Sequence, residues 1–305
     1  MSSLKWFTSF VLAATMVPAL PAETRCPGSA ASITPRFVAR ALIVIQVRIN
    51  QEGPFDFVVD TGSQVTMIDP DLASQLQLRL QGSVGIISVA GFARGSMTVL
   101  DTLEAGSHRL ERPLALVQDL GAIRAADGRI RGILGENFLS HFDLMIDYAH
   151  KLLCLDSTTA MQDRVHGERI PLVRPHPESE LPFMERLVIA THLSGAGSRP
   201  ILLQVDSGVD GPLLYARSEE EAFPLLNLAS PRQGRLTQAQ KAFAALPAQE
   251  LRIGKRTMSD VPFVTPVSFA KNIPRLEEDG LLPTLLFQRV FISGTDHYVV
   301  FDPKF

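Results

Sequence analysis

Two short stretches constrain this chain more than anything else in it. Phe55-Asp56-Phe57-Val58-Val59-Asp60-Thr61-Gly62-Ser63 runs an apolar strand straight into an acidic residue, a hydroxyl residue and a glycine. Leu202-Leu203-Gln204-Val205-Asp206-Ser207-Gly208 does the same, and 206 − 60 puts the two aspartates 146 residues apart. A carboxylate at the end of a buried strand is costly to desolvate, so it needs donors or a chemical task. The glycine lets the backbone turn sharply and bring its amides close. Thr61 and Ser63 carry hydroxyls able to donate to the carboxylate and fix its orientation. One such triplet is a weak signal; two, each at the end of an apolar strand, are not.

Other landmarks repeat in the same order. Ala41 to Asn50 begins as a continuous apolar run and ends in alternation, which predicts a strand. Gln51-Glu52-Gly53-Pro54 predicts a turn into the strand that ends at Asp60. Asp69-Pro70-Asp71 opens a short helix through Leu76, with Asp at the cap and Pro at the first position. Arg131-Gly132-Ile133-Leu134-Gly135 reads as a buried strand and a glycine corner, and Gly280-Leu281-Leu282-Pro283 mirrors it at 280 − 132 = 148. Phe142 to Tyr148 and Leu152 to Leu155 close the first half as Tyr298 to Asp302 closes the second. The chain is therefore an internal duplication. Gly82 to Leu100 is a β segment rich in small residues, either a mobile hairpin or a plain surface one. Residues 215–247, rich in Ala, Leu and Gln, fit the repeat least well and are expected to be helical.

A chain of 305 residues holds two lobes, each able to bury its own core. The expected organisation is a signal peptide over residues 1–22, an irregular lead-in over 23–36 and a first lobe over 37–158. A linker with an entry strand over 159–182 and a second lobe over 183–305 complete it. The leader rests on Lys5, the apolar run Trp6 to Val17, and Pro18-Ala19-Leu20-Pro21-Ala22 with cleavage after Ala22. It predicts an exported protein, periplasmic or secreted, with no membrane span once the leader is removed. Cys26 and Cys154, the two cysteines, form a disulfide in an oxidising compartment or remain thiols; the sequence leaves both open.

Several chemistries are disfavoured. Net charge −3 without a basic block argues against a nucleic-acid or anionic-membrane partner. The seven histidines show no paired metal-ligand spacing, and no nucleophile elbow, phosphate loop or Cys-x-x-Cys occurs. No metal and no cofactor is expected. Asp143 and Asp147 read as structural.

At Val59-Asp60-Thr61-Gly62-Ser63 and Val205-Asp206-Ser207-Gly208 the chain resembles the aspartic proteases, both the two-lobed pepsin-like enzymes and the bacterial retropepsin-like domains. The apolar-apolar-Gly elements at Ile130 to Gly135 and Asp279 to Leu282 add to the likeness. The resemblance implies an all-β, bilobal fold, two similar barrel-like lobes with a central cleft. It also implies that Asp60 and Asp206 are catalytic, sharing a water and a proton to hydrolyse a peptide or protein substrate. Thr61, Gly62, Ser63, Ser207 and Gly208 would support the catalytic loops, with Thr61 and Ser207 cross-linking them. Ser88, Val89, Ala90, Gly91 and Phe92 would form a flap.

Three positions depart from the pattern: Val209 replaces a hydroxyl residue, the flap has no tyrosine, and Glu277-Glu278-Asp279 replaces apolar residues before Gly280. Two alternatives follow. One is a catalytically silent exported peptide-binding protein of the same fold. The other is a homodimeric enzyme using Asp60 alone, against which the duplication favours a monomer.

Overall fold

A computed structural model describes residues 25–28, 30–39, 41–88, 91–173, 186–215, 243–266 and 278–305. The expected leader, the flap tip at Val89 and Ala90, and most of the expected helical part, 216–242, lie outside the described residues. What is described is all-β, half of it strand, with three short helices. The strands form three sheets.

The first sheet is organised around the hairpin that delivers Asp60. Leu42–Ile49 pairs antiparallel with Glu52–Val59, Ile43 facing Val59. The run's change from continuous to alternating apolarity has a direct cause. Ile43, Ile45, Val47 and Ile49 enter the main core, while Val44 packs with Val58 and Ile130 on the opposite face. Beyond Val44 that second cover ends, and Gln46 and Arg48 are exposed. The turn falls at Asn50-Gln51, both at positive φ, one residue ahead of the expected Gln51–Pro54 turn. Asn50 tolerates that conformation, and its side-chain oxygen accepts from the amides of Asp101 and Thr102 at 2.8 and 3.1 Å.

Ile130–Leu134 lies parallel to the Asp60 strand, Leu134 beside Val59. The two-residue strand Met67–Ile68 lies between Ile130–Leu134 and Leu114–Val117. Gln81–Ser88 and Gly91–Val99 form the hairpin at one edge, and Thr102–Ala105 with His108–Glu111 forms the other. The helix Pro70–Gln75 begins as expected, with Asp69 accepting from the Leu72 amide.

The eight described strands of the second sheet repeat this order, and Gln81–Ser88 and Arg36–Val38 of the first sheet have no counterpart among the described residues. From its edge the second sheet runs Phe243–Ala245, Val264–Pro266, Leu213–Leu214, Gly280–Pro283, Ile201–Asp206, Val188–Leu193, Gln249–Ile253 and Arg256–Val261. Phe243–Ala245 is thus a strand where helix was expected. It pairs antiparallel with Val264–Pro266 as Gly91–Val99 pairs with Leu114–Val117.

The third sheet joins the halves: Ala31–Ile33, Leu152–Asp156, Asp143–Asp147, Arg289–Ser293, Tyr298–Phe301 and Ile170–Pro171. Residues 31–33, expected to be irregular, form its edge strand against Leu153–Leu155. Nearby, Cys26 and Cys154 form a disulfide with their Cα atoms 5.7 Å apart, which settles the alternative left by the sequence. At the centre of the sheet Met145 faces Phe291. Their separation, 291 − 145 = 146, equals that of the two aspartates, as it must if one pseudo-two-fold axis passes through both places.

Candidate active site

Asp60 and Asp206 sit where two equivalent strands stop. The Asp60 amide donates to the Leu134 carbonyl at 3.0 Å, and Asp206 ends its strand beside Pro283. The two following loops then cross. Thr61 Oγ1 donates to the Val205 carbonyl at 2.9 Å and accepts from the Ser207 amide at 3.0 Å. Ser207 Oγ donates to the Val59 carbonyl at 2.9 Å and accepts from the Thr61 amide at 3.1 Å. Thr61 and Ser207 are buried, so each hydroxyl spends its donor and an acceptor on the opposite lobe. The cross-link fixes the two strand ends against each other.

Gly62 and Gly208 make the approach possible. A Cβ on Gly62 would collide with Asp206 Oδ2, and one on Gly208 would lie 2.6 Å from Asp60 Oδ1. Each carboxyl therefore occupies space that a side chain on the facing loop would fill. The Gly62 amide donates to Asp60 Oδ1 at 2.9 Å, and the Gly208 amide to Asp206 Oδ1 at 2.6 Å. The two carboxyls are also hydrogen-bonded to one another.

Burial and mutual charge pull the pair away from ordinary carboxylates. Burial raises the Asp60 carboxyl, against which the amides of Gly62 and Ser63 and the hydrogen bond from Asp206 act. Asp206 is pushed well above the usual range, first by burial and then by the charge of Asp60. Asp206 is 5% exposed, while Asp60 keeps part of its surface open. Both carboxyls thus hold a proton more readily than ordinary carboxylates do. Such a pair titrates as a unit.

Ser63 does not act as expected. Its hydroxyl donates to the Val65 carbonyl at 3.0 Å, and only its amide serves Asp60. Val209, its counterpart at 63 + 146, therefore deprives Asp206 of nothing that the Ser63 hydroxyl gives Asp60.

The flap segment is described in part. Ile87 faces Phe92 and Ser88 faces Gly91 in the hairpin ladder. At the hairpin's root Ile86 is buried with Val65 and Leu116, which ties it to the loop five residues past Asp60.

Two residues near the pair were not singled out from the sequence. Gln204 is buried, and its Nε2 donates to the Gly62 carbonyl at 3.1 Å. Its signal was an amide in an otherwise apolar strand, where the first lobe has Val58. Tyr148 stands in the field of Asp206, and no local pattern marks it. Asp143 and Asp147 lie in the joining sheet. Asp143 accepts from Ser293 and Gly294, and Asp147 from His150 and Arg289, so both are structural. Among the described residues no group of three or more His, Cys, Asp or Glu side chains is placed to hold a metal ion.

Residues 45–138, the stretch that carries Asp60 and its supporting strands, match a family model described as aspartyl protease. No curated protein sequence matches the chain.

Proposed function

We propose that this chain, whose residues 45–138 match a family model described as aspartyl protease, is a single-chain aspartic-type endopeptidase of the retropepsin-like kind that uses Asp60 and Asp206 together. The observation that carries the reading is the pair of crossed Asp-Thr/Ser-Gly loops, with the two carboxyls in hydrogen-bonding contact.

A peptide lying across the pair would place its scissile carbonyl beside protonated Asp206 and a water beside ionised Asp60. Asp60 takes a proton from the water as its oxygen attacks the carbonyl carbon, and Asp206 gives its proton to the carbonyl oxygen. In the second step Asp60 passes its proton to the departing amine nitrogen, and Asp206 recovers one from the tetrahedral diol. The pair ends with the single proton it began with. Neither step forms a covalent bond to the enzyme.

The joining sheet supports a monomer. The first lobe's Asp143–Asp147 strand is already paired by Arg289–Ser293, and Thr61 by Ser207 of the same chain. A second copy of the lobe would have to displace both. Location in an oxidising compartment, periplasmic or secreted, is supported by the disulfide between Cys26 and Cys154. No described helix is long and apolar enough to cross a membrane.

The test is cleavage of a peptide library by residues 23–305 from pH 3 to 8, with and without pepstatin. Pepstatin-sensitive cleavage is expected, lowered by about 10²–10⁴-fold or more in Asp60→Asn. That variant should melt at the same or a higher temperature, because a desolvated carboxylate charge is removed. A folded parent that binds peptides at every pH and cleaves none would instead establish the silent peptide-binding alternative.

A further inference from the structure

The aspartate pair lies on a two-fold axis, yet its surroundings are not two-fold. The offset of 146 carries Tyr148 onto Gly294 (294 − 148 = 146). Tyr148 follows the Asp143–Asp147 strand, and its amide donates to the Gln288 carbonyl at 2.9 Å. Its ring packs against Phe37, 5.7 Å between centroids. Its hydroxyl lies 2.6 Å from Thr284 Oγ1. Thr284 is fully buried and follows Pro283, the residue beside Asp206 in the parallel ladder. A tyrosine of the first lobe is thus fastened to the end of the strand that flanks Asp206. Gly294 has no side chain to do the same for Asp60, and its amide donates to Asp143 Oδ1 at 3.1 Å.

We propose that Tyr148 is a positioning residue for Asp206. Through Thr284 it pins the end of the Gly280–Pro283 strand and closes that side of Asp206 to water. It thereby adds to the inequality of the two duplicated aspartates, and so biases which holds the proton. This rests on reading the pair as catalytic. The titratable groups that feel the charge of Asp206 are Asp60 from the opposite loop, Tyr148 from the first lobe and Tyr215 from its own, and Tyr215 also feels Glu278 and Arg186. Tyr148 itself stays neutral: burial, helped by the charge of Asp206 and opposed by the Thr284 bond, pushes its phenol up to about 12.

Tyr148→Phe keeps the ring and removes the hydroxyl; Thr284→Val removes the other end of the bond. Each is expected to lower kcat by about three- to tenfold, the worth of one hydrogen bond, with KM within about twofold of the parent. The alkaline limb of kcat/KM should move to lower pH, because a wetter Asp206 holds its proton less tightly. The double variant should be no worse than either single one. A lower melting temperature with the alkaline limb unmoved would reduce Tyr148 to a packing role and overturn the proposal.

Carboxyl ¹³C titration of Asp206 in the parent and in Tyr148→Phe reads the same coupling without turnover. A lower midpoint in the variant supports the proposal even if the parent cleaves no peptide, in which case the catalytic reading alone fails. Coincident titrations overturn it.

Discussion

Thr61 and Ser207 each make two hydrogen bonds to the opposite lobe. Removing one hydroxyl orphans a buried donor and a buried acceptor together, and each orphan costs about 1–3 kcal/mol. Thr61→Val keeps the shape and strands the Val205 carbonyl and the Ser207 amide. A loss of about 2–5 kcal/mol in urea unfolding is expected, and a loss below about 0.5 kcal/mol, the scale of an ordinary surface change, would show that the cross-link holds nothing. At this scale the sequence was informative where a residue's task is local. Asp60, Gly62 and their counterparts were legible because the turn after a buried strand needs those residue types. The Ser63 hydroxyl was misassigned because the sequence gives its donor capacity but not its direction. Tyr148 was invisible because its partner, Thr284, lies 136 residues away.

The elements that matter most after the two aspartate strands are the closing strands. Asp147, with its side chain 3% exposed, faces Arg289 across the joining sheet, and Arg289 Nε donates to it at 2.7 Å. His150 contributes its amide and Nδ1 at 2.9 and 2.8 Å. Arg289→Met keeps the aliphatic stem and leaves the buried carboxylate with only its two bonds from His150. Breaking such a pair costs about 3–5 kcal/mol, and with His150 remaining the low end, about 3 kcal/mol, is expected in chemical denaturation. No loss would mean that the sheet, and not this pair, holds the lobes.

Both closing strands were legible as apolar segments. Their union was not, because alternation tells which face a strand buries and not which distant strand it pairs with. Strands of two residues, such as Met67–Ile68 and Leu213–Leu214, carry no period at all. The misplaced turn before Asp60 has a similar cause: Gly53-Pro54 is the louder local signal, but the side chain of Asn50 bonds to residues 51 and 52 positions away.

For the whole molecule, the buried carboxyls set how stability responds to pH. Asp60, Asp206 and Asp143 are all raised in the folded state, burial being the first cause in each. The native state therefore holds protons more tightly than the unfolded chain at these groups. Their contribution is fully present below the ordinary carboxylate range of about 4 and is lost as pH rises through their folded values. Asp147 is lowered; despite its burial, His150 and Arg289 prevail. Its contribution is present above about 4 and is lost as pH falls. The melting temperature should therefore peak near about pH 4–5 and decline toward 8, with a shallower decline in Asp60→Asn. A melting temperature that climbs steadily to pH 7 would contradict the buried pair.

The duplication that makes this molecule was plain in the spacing of its landmarks, and what the spacing could not give was the asymmetry laid over it. The central claim is that one chain supplies both carboxyls of one site. It is tested most directly by the peptide cleavage rate of Asp206→Asn against the parent at the parent's optimum pH. Loss of cleavage as complete as in Asp60→Asn, with the fold intact, is the predicted result. Cleavage that survives at the parent's rate would contradict it and move the chemistry to Asp60 of two chains.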